Sequence, residues 1–403
     1  MKVVMIVRAQ SGVPGGAGVP GGQIGMIQLA RSLARLKVDV ELFIGGPRMA
    51  YLDGLDGVTT KYLRWPNWLD RLIKASPARV RSLGANLRRK RWLKAVSSLT
   101  TRGDADVIHI QGIKDAEALL PAIDGPLVVT HWGRVGRWLP DESKPNGNEE
   151  LQRRIRLLRR NIKLVAIGEA QGVALTSAGL PPDDIIEPGI DLQHFSPGDR
   201  AEARRRVNLP PDVPLVLYVG RLAPDKNVES LMTAFARLAP PSAKPHLLII
   251  GDGPLRPKLH ELSTELGIDA STTFLPFVPH QDLPWYYRAA DVMVVPSNYL
   301  ETFCMVALEA IACRCPLIVT DQVPEILRRF PNVPAVGPYD VDALCEHLSS
   351  ALNGKLKPAD DTRMADYGWD NVARRYLDFY NTALRRTTRC VTLRASERVE
   401  HAN

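Results

Sequence analysis

The chain has 403 residues, 45% of them hydrophobic and 24% charged, with a net charge of +8. That length suits two domains with apolar cores of their own, and the composition is that of an ordinary soluble globular protein. No run approaches the roughly 18–20 consecutive apolar residues of a membrane-spanning helix, which excludes that class.

The opening MKVVMIV is followed too soon by Arg8 and a glycine run to serve as a secretory signal, and it reads as a buried strand over 3–7. A helix over 23–36, a strand over 38–44 and further strands over 107–110, 127–130 and 164–167 complete a first half. These runs are apolar without alternation, as parallel strands covered on both faces require. The texture then changes to LPPDDIIEPGIDLQHFSPG, a hinge rich in Pro, Gly and Asp over 180–197. A second series follows, with strands over 215–219, 246–250, 292–296 and 317–320 and helices over 228–238, 255–266, 303–312 and 341–352. Repeated strand–helix alternation predicts an α/β fold of two Rossmann-like domains, 1–188 and 189–368, facing across a cleft. A last amphipathic helix spans 369–386, with Val372, Tyr376, Phe379 and Tyr380 at helical spacing. The polar, aperiodic tail 387–403 is expected to be disordered.

Three segments carry chemistry. In PSNYLETFCMVALEAIACRC a strand ends at Pro296, a loop carries Glu301, and a helix is expected from Thr302 or Phe303. The free amides of that first turn, through Cys304 and Met305, suit a diphosphate. Glu309 lies eight positions after Glu301, roughly 12 Å at about 1.5 Å per helical residue, a spacing comparable to that from hexose to ribose in a nucleotide sugar. Flanked by Val306, Ala307, Leu308, Ala310 and Ile311, Glu309 needs a buried partner. The second segment, LVLYVGRLAPDKN, ends a strand at Gly220 and releases Arg221 and Lys226, two cations able to neutralise a leaving diphosphate. The third, IGDGP, is a tight glycine turn around Gly251, weak by itself because such turns often simply start helices.

In this order and spacing, VGRL, DKN, GDGP, the Glu pair and the later Pro-Glu resemble the retaining glycosyltransferases of family 4, over almost the whole chain. The resemblance implies the GT-B fold, with an acceptor-side first domain, a nucleotide-sugar-binding second domain and a final helix crossing back to the first. It also implies roles: Arg221 and Lys226 on the diphosphate, Glu301 on the donor hexose, Glu309 on the ribose. Gly21 and Gly22 match the family's glycine-rich loop before the first helix. His131, in VVTHWGR, matches a His of the reaction centre, while His109 in DVIHIQG is expected only to position its surroundings. Where the family usually has glycine, this chain has Cys304 and Arg314, and Gln322-Val323 replaces a common Gly-Gly.

The reaction so implied moves a hexose-type sugar from a nucleotide-sugar donor to an acceptor hydroxyl, with retention and without a metal or other cofactor. Glycolipid, polysaccharide and small-molecule acceptors all remain open. The alternatives are a nucleotide-sugar epimerase of the same fold and an inactive nucleotide-sugar-binding homologue. A NAD-dependent oxidoreductase would need GxGxxG directly after the first strand, which is lacking. Cys304, Cys313, Cys315, Cys345 and Cys390 form no CxxC pair and read as reduced thiols of a cytoplasmic protein. From Arg64 to Lys94 there are ten Lys or Arg against one acid, Asp70, and Trp68, Leu69, Leu72 and Ile73 share a helical face. That stretch suits an anionic membrane surface, making the protein peripheral at the inner face; no nucleic-acid partner is expected.

Overall fold

The structure, a computed structural model, describes residues 1–8, 21–45, 55–63, 94, 96, 105–123, 125–133, 147–238 and 244–400. The chain forms two compact units: one runs to Gly189 and resumes at Trp369, and the other extends from Ile190 to Gly368.

The first unit is built on seven parallel strands: β1 (Lys2–Arg8), β2 (Asp39–Gly45), β3 (Val58–Leu63), β4 (Val107–Gln111), β5 (Leu127–Thr130), β6 (Ile162–Ala166) and β7 (Asp184–Ile185). Their order is β3-β2-β1-β4-β5-β6-β7, with Val3 opposite Val40 on one side and Val107 on the other. Because β1 is apolar at every position from Val3 to Val7, it buries both faces. Val3, Met5 and Val7 pack with α1 (Gly21–Arg35). Val4 and Ile6 pack with α2 (Ile113–Leu119), α3 (Gly147–Asn161) and α4 (Glu169–Ser177). Each such side chain contributes about 1.5–3 kcal/mol relative to exposure, so a sheet of this kind needs helices on both sides.

The second unit has six parallel strands: β8 (Leu215–Val219), β9 (His246–Ile250), β10 (Thr272–Leu275), β11 (Val292–Val295), β12 (Leu317–Thr320) and β13 (Ala335–Val336). They run in the order β10-β9-β8-β11-β12-β13. Around them lie α5 (Arg200–Arg206), α6 (Val228–Ala236), α7 (Arg256–Glu265), α8 (Leu283–Ala289), α9 (Met305–Ala312), α10 (Pro324–Arg329) and α11 (Val341–Leu352). The chain builds outward from β8 to β10, then returns to add β11 beside β8. The order therefore reverses between β8 and β11, where open sheets of this class bind ligands beyond the carboxyl ends of the strands. Ile190 and Gly368, the two ends of this unit, pair as a parallel bridge.

The chain then returns to the first unit as α12 (Trp369–Glu400), whose Trp369, Val372, Ala373, Tyr376 and Tyr380 join the core of β1 and α1. Gly189 lies against Trp369 so closely that a Cβ would stand 2.6 Å from the indole. Under α12, His109 Nδ1 meets the Tyr380 hydroxyl at 2.6 Å and Nε2 meets Thr130 Oγ1 at 2.8 Å. Thr130 Oγ1 in turn meets the Tyr376 hydroxyl at 2.9 Å. Burial pushes the His109 imidazole down to about 3, so it is neutral. The positioning role expected of His109 is thus to seat α12.

Several expectations change. The helix expected to stop at 386 continues to Glu400, because 369–400 contains neither Gly nor Pro to end it. Gly21 and Gly22 open the first turn of α1 instead of preceding it. Helix α9 starts at Met305 and not at Thr302 or Phe303. Residues 301–304 therefore form a loop, and the helical rise does not measure the spacing from Glu301 to Glu309. The sequence pattern does not mark the edge strands β3, β7, β10 and β13, which are short or polar as edge strands often are. Residues 64–93, most of the basic stretch, and the glycines at 12–18 lie outside the described residues.

Candidate active site

The candidate donor residues of the second unit gather at the carboxyl ends of β8, β9 and β11. After β8 the chain leaves through Gly220 and Arg221. Tyr218, buried in the core, donates its hydroxyl back to the Arg221 carbonyl at 3.0 Å, and a Cβ on Gly220 would stand 2.8 Å from that oxygen. The GDGP turn after β9 braces this exit. Gly220 N donates to Ile250 O and Leu222 N to Asp252 O. Gly251 has φ +144°, and a Cβ there would stand 1.8 Å from the Gly220 carbonyl oxygen. A motif that is weak as sequence is therefore a close backbone contact only glycine permits.

The loop continues to Lys226 and Asn227. Asn227 is left-handed, φ 50°, and its Nδ2 donates to the Pro296 carbonyl at 3.2 Å and the Pro338 carbonyl at 2.6 Å. It thereby ties the loop after β8 to those after β11 and β13. Asn298 N donates to Asp225 O, and Glu301 N to Gln322 O. The result is a fixed rim of backbone at the switch point.

Within that rim, Lys226 Nζ donates to Glu301 Oε1 at 2.5 Å and Ser297 Oγ to the same oxygen at 2.6 Å. Ser297 is fully buried and its carbonyl is held by Thr320 Oγ1 at 2.6 Å. Both bonds fall on one oxygen, so Oε2 retains acceptor capacity. Arg221 is half exposed and pairs with Asp225 at 2.9 Å. In this state each candidate phosphate-binding cation is matched by a carboxylate.

Thr302, Phe303 and Cys304 lead into α9. Cys304 stands at the helix cap, and its thiol is pushed up to about 12 by burial, helped by the charge of Glu301. It is a neutral filler beside the carboxylate. From Met305 on, the first amides of α9 have no acceptor within the helix.

Glu309 is 3% exposed. It is satisfied by two residues that no motif announced: His280 Nε2 donates to Oε1 at 2.9 Å and the Tyr287 hydroxyl to Oε2 at 2.7 Å. Burial pulls the His280 imidazole down, but the hydrogen bond to Glu309, its charge and that of Asp191 prevail and hold it above its usual range. Burial, with the charge of Glu309, raises the Tyr287 phenol far above its usual value, so it remains a donor.

Of the remaining candidates, His131 follows β5 in the first unit, 8% exposed, with its amide on the Val165 carbonyl at 3.2 Å. Gly21 and Gly22 belong to the same unit. A cavity of about 340 Å³ in the second unit lies at the opposite, amino-terminal end of the sheet, lined by Arg200, Arg288, Asp291, Cys313 and Arg314 among others. None of the candidate donor residues lines it. Arg314, the departure from glycine, has φ 55° and pairs with Asp361 at 2.9 Å there, away from the switch point. Among the described residues no group of three or more His, Cys, Asp or Glu could hold a metal ion, and no helix is long and apolar enough to cross a membrane.

Two parallel-sheet α/β domains with a helix returning to the first define the GT-B fold class. Residues 199–368 match the family described as Glycosyl transferases group 1. A D-inositol 3-phosphate glycosyltransferase from Kribbella flavida is 28% identical, with 92% of each chain covered. Among solved structures, sucrose-phosphate synthase from Thermosynechococcus elongatus has a TM-score of 0.70 at 22% identity, covering 94% of this chain and 98% of that one. HepE from Anabaena, in complex with UDP-glucose, has a TM-score of 0.61 at 18% identity, covering 97% and 99%. The structural likenesses show the fold. Together with the matching domain and the relative, they support a glycosyltransferase as the coarse class of the chain.

Proposed function

We propose that the protein is a retaining glycosyltransferase that moves a hexose-type sugar from a nucleotide-sugar donor to an acceptor hydroxyl, without a metal. The observation that carries this reading is the Lys226–Glu301 pair at the switch point, held by Ser297 and braced by Asn227. An incoming diphosphate competes with Glu301 for Lys226. As the cation turns to phosphate, Glu301 is released to accept from a hydroxyl of the hexose. Arg221 can leave Asp225 in the same way, so the cations are delivered only when the donor arrives.

In the transfer, the bond from the anomeric carbon to the phosphate oxygen breaks and the acceptor oxygen bonds to that carbon from the same face. The acceptor proton passes to the leaving phosphate. Arg221, Lys226 and the first amides of α9 stabilise the departing charge, a preorganised electrostatic role that requires no metal. Glu309 receives the ribose hydroxyls, and His131 serves the reaction centre. HepE was solved with UDP-glucose, which makes UDP-sugars the first donors to test, and the Kribbella relative makes an inositol phosphate the first acceptor.

Thermal stabilisation by UDP-, GDP-, ADP- and dTDP-sugars tests the donor. At least one should stabilise the wild type, and Glu309→Ala should lose the response; no response to any sinks the reading. Product anomeric configuration by NMR tests retention, and activity in excess chelator tests metal independence. For the basic stretch from Arg64 to Lys94, flotation with anionic vesicles at low and high salt tests the peripheral membrane role.

A further inference from the structure

The polar contacts of Glu309 are its most distinctive property, because neither contributing residue belongs to a recognised motif. Glu309 comes from α9, His280 from the turn before α8, and Tyr287 from α8 itself. Their rings are braced by Phe195, which is 1% exposed and packs against His280 at 4.9 Å and Tyr287 at 6.2 Å between centroids. The backbone of Phe195 is anchored in turn by its amide on the Asp191 carbonyl at 2.8 Å. A buried ionised carboxylate needs hydrogen-bond donors, but two donors from separate positions, both clamped by one aromatic ring, do more than satisfy it. They fix the plane of the carboxylate.

A carboxylate offers about four lone-pair positions, two on each oxygen. His280 takes one on Oε1 and Tyr287 one on Oε2. One acceptor position therefore remains on each oxygen, the number a vicinal ribose diol requires. We propose that His280 and Tyr287 are positioning residues that orient Glu309 to receive both hydroxyls of the donor ribose, and so set the preference for ribonucleotides over deoxyribonucleotides. The inference rests on the reading that Glu309 meets the ribose. It goes beyond that reading in assigning the sugar selectivity of the nucleotide site to two residues upstream of the Glu pair. The neighbours that also face this cluster are Asp191, His194 and Phe195 from the segment before α5, and the neutral thiols Cys304 and Cys313 beside Glu309. None of them donates a second bond to the carboxylate.

Calorimetric titration of UDP, GDP and ADP, each beside its 2′-deoxy counterpart, tests this on the wild type, His280→Ala, His280→Gln, Tyr287→Phe, Glu309→Gln and the double variant His280→Ala with Glu309→Gln. Wild type is expected to prefer the ribo form. His280→Ala and Tyr287→Phe should each weaken the ribo form by about tenfold, the effect of misaligning one hydrogen-bonding group, and weaken the deoxy form, which keeps only the 3′-hydroxyl, by less. His280→Gln, which keeps a donor, should restore most of the preference, and His280→Ala should cost nothing further once Glu309 is Gln. Equal weakening of ribo and deoxy ligands in both His280→Ala and Tyr287→Phe indicates a merely structural role and overturns the inference, as does an additive loss in the double variant. Binding of no nucleotide by the wild type instead sinks the donor reading, and this inference with it.

Discussion

The two units bury polar clusters of opposite kinds. Under α12 in the first, His109, Thr130, Tyr376 and Tyr380 join through three hydrogen bonds with no charge among them. At the switch point of the second, Glu301 and Glu309 are each held by two protein donors. The first cluster is closed: both imidazole nitrogens are occupied, and its work is to fix the register of a helix on a sheet. The second is open, because an ionised carboxylate keeps acceptor positions after its protein partners are in place. Buried polar networks rigidify in either case. Only the one that retains acceptor capacity at a strand-end crevice has the chemistry to receive a ligand.

The sharpest way to break this contrast is to remove the cation of the open cluster. Lys226→Ala should lower kcat on the order of 10²–10³-fold, the effect of deleting one preorganised charge-stabilising donor, while the protein stays folded. Initial rates with a UDP-sugar would read it, and a wild-type rate would mean that the open cluster takes no part in the chemistry. Gly251→Ala attacks the mould instead of the charge. A Cβ 1.8 Å from the Gly220 carbonyl oxygen cannot be accommodated without moving the exit of β8. A destabilisation of about 1–3 kcal/mol is expected, with loss of nucleotide binding, and a well-folded variant that binds normally would refute the bracing role. In the closed cluster, His109→Ala should destabilise by about 1–3 kcal/mol, because it strands the Tyr380 hydroxyl and removes one of the two partners of Thr130. Nucleotide affinity should stay unchanged, and a fall in affinity would show that the closed cluster is not purely structural.

The contrast also explains how much was legible in the sequence. The open site announced itself where backbone geometry dictates residue type: Gly220 beneath Tyr218, Gly251 against Gly220, Asn227 in a left-handed turn, and Glu301 on the loop after β11. Local constraints of that kind leave local motifs. His280 and Tyr287 left none, since they reach Glu309 across 29 and 22 positions through tertiary packing. The closed cluster was half visible. His109 stood at a strand end and Tyr376 and Tyr380 on a helical stripe, but nothing local joins residues 271 positions apart. The central strands were legible because they are continuously apolar. Edge strands such as VTTKYL and TTFL were not, because partial solvent contact dilutes their pattern. Helix α9 starts two to three residues later than its sequence pattern implies, because Cys304 provides no capping side chain to mark it.

The smallest effect expected is also the one that separates the units by sign. Burial drives His109 from an ordinary value near 6.5 down to about 3, so the unfolded chain takes up a proton before the native one does. Its contribution is complete above about pH 6.5 and is lost progressively as the pH falls towards 3. His280 is held above its ordinary value by Glu309, so its contribution is complete below about pH 6.5 and fades as the pH rises through the native value. Acidification from pH 8 to 5 should therefore loosen the first unit while tightening the α8–α9 region of the second. Hydrogen exchange resolved by segment, at pH 5, 6.5 and 8 and corrected for the intrinsic pH dependence of exchange, would show protection over β4, β5 and α12 falling as protection over α8 and α9 rises. His109→Gln should flatten the first trend alone and His280→Gln the second alone. Parallel trends in the two units, or a single variant that flattens both, would mean that the imidazoles are not what distinguishes the closed cluster from the open one.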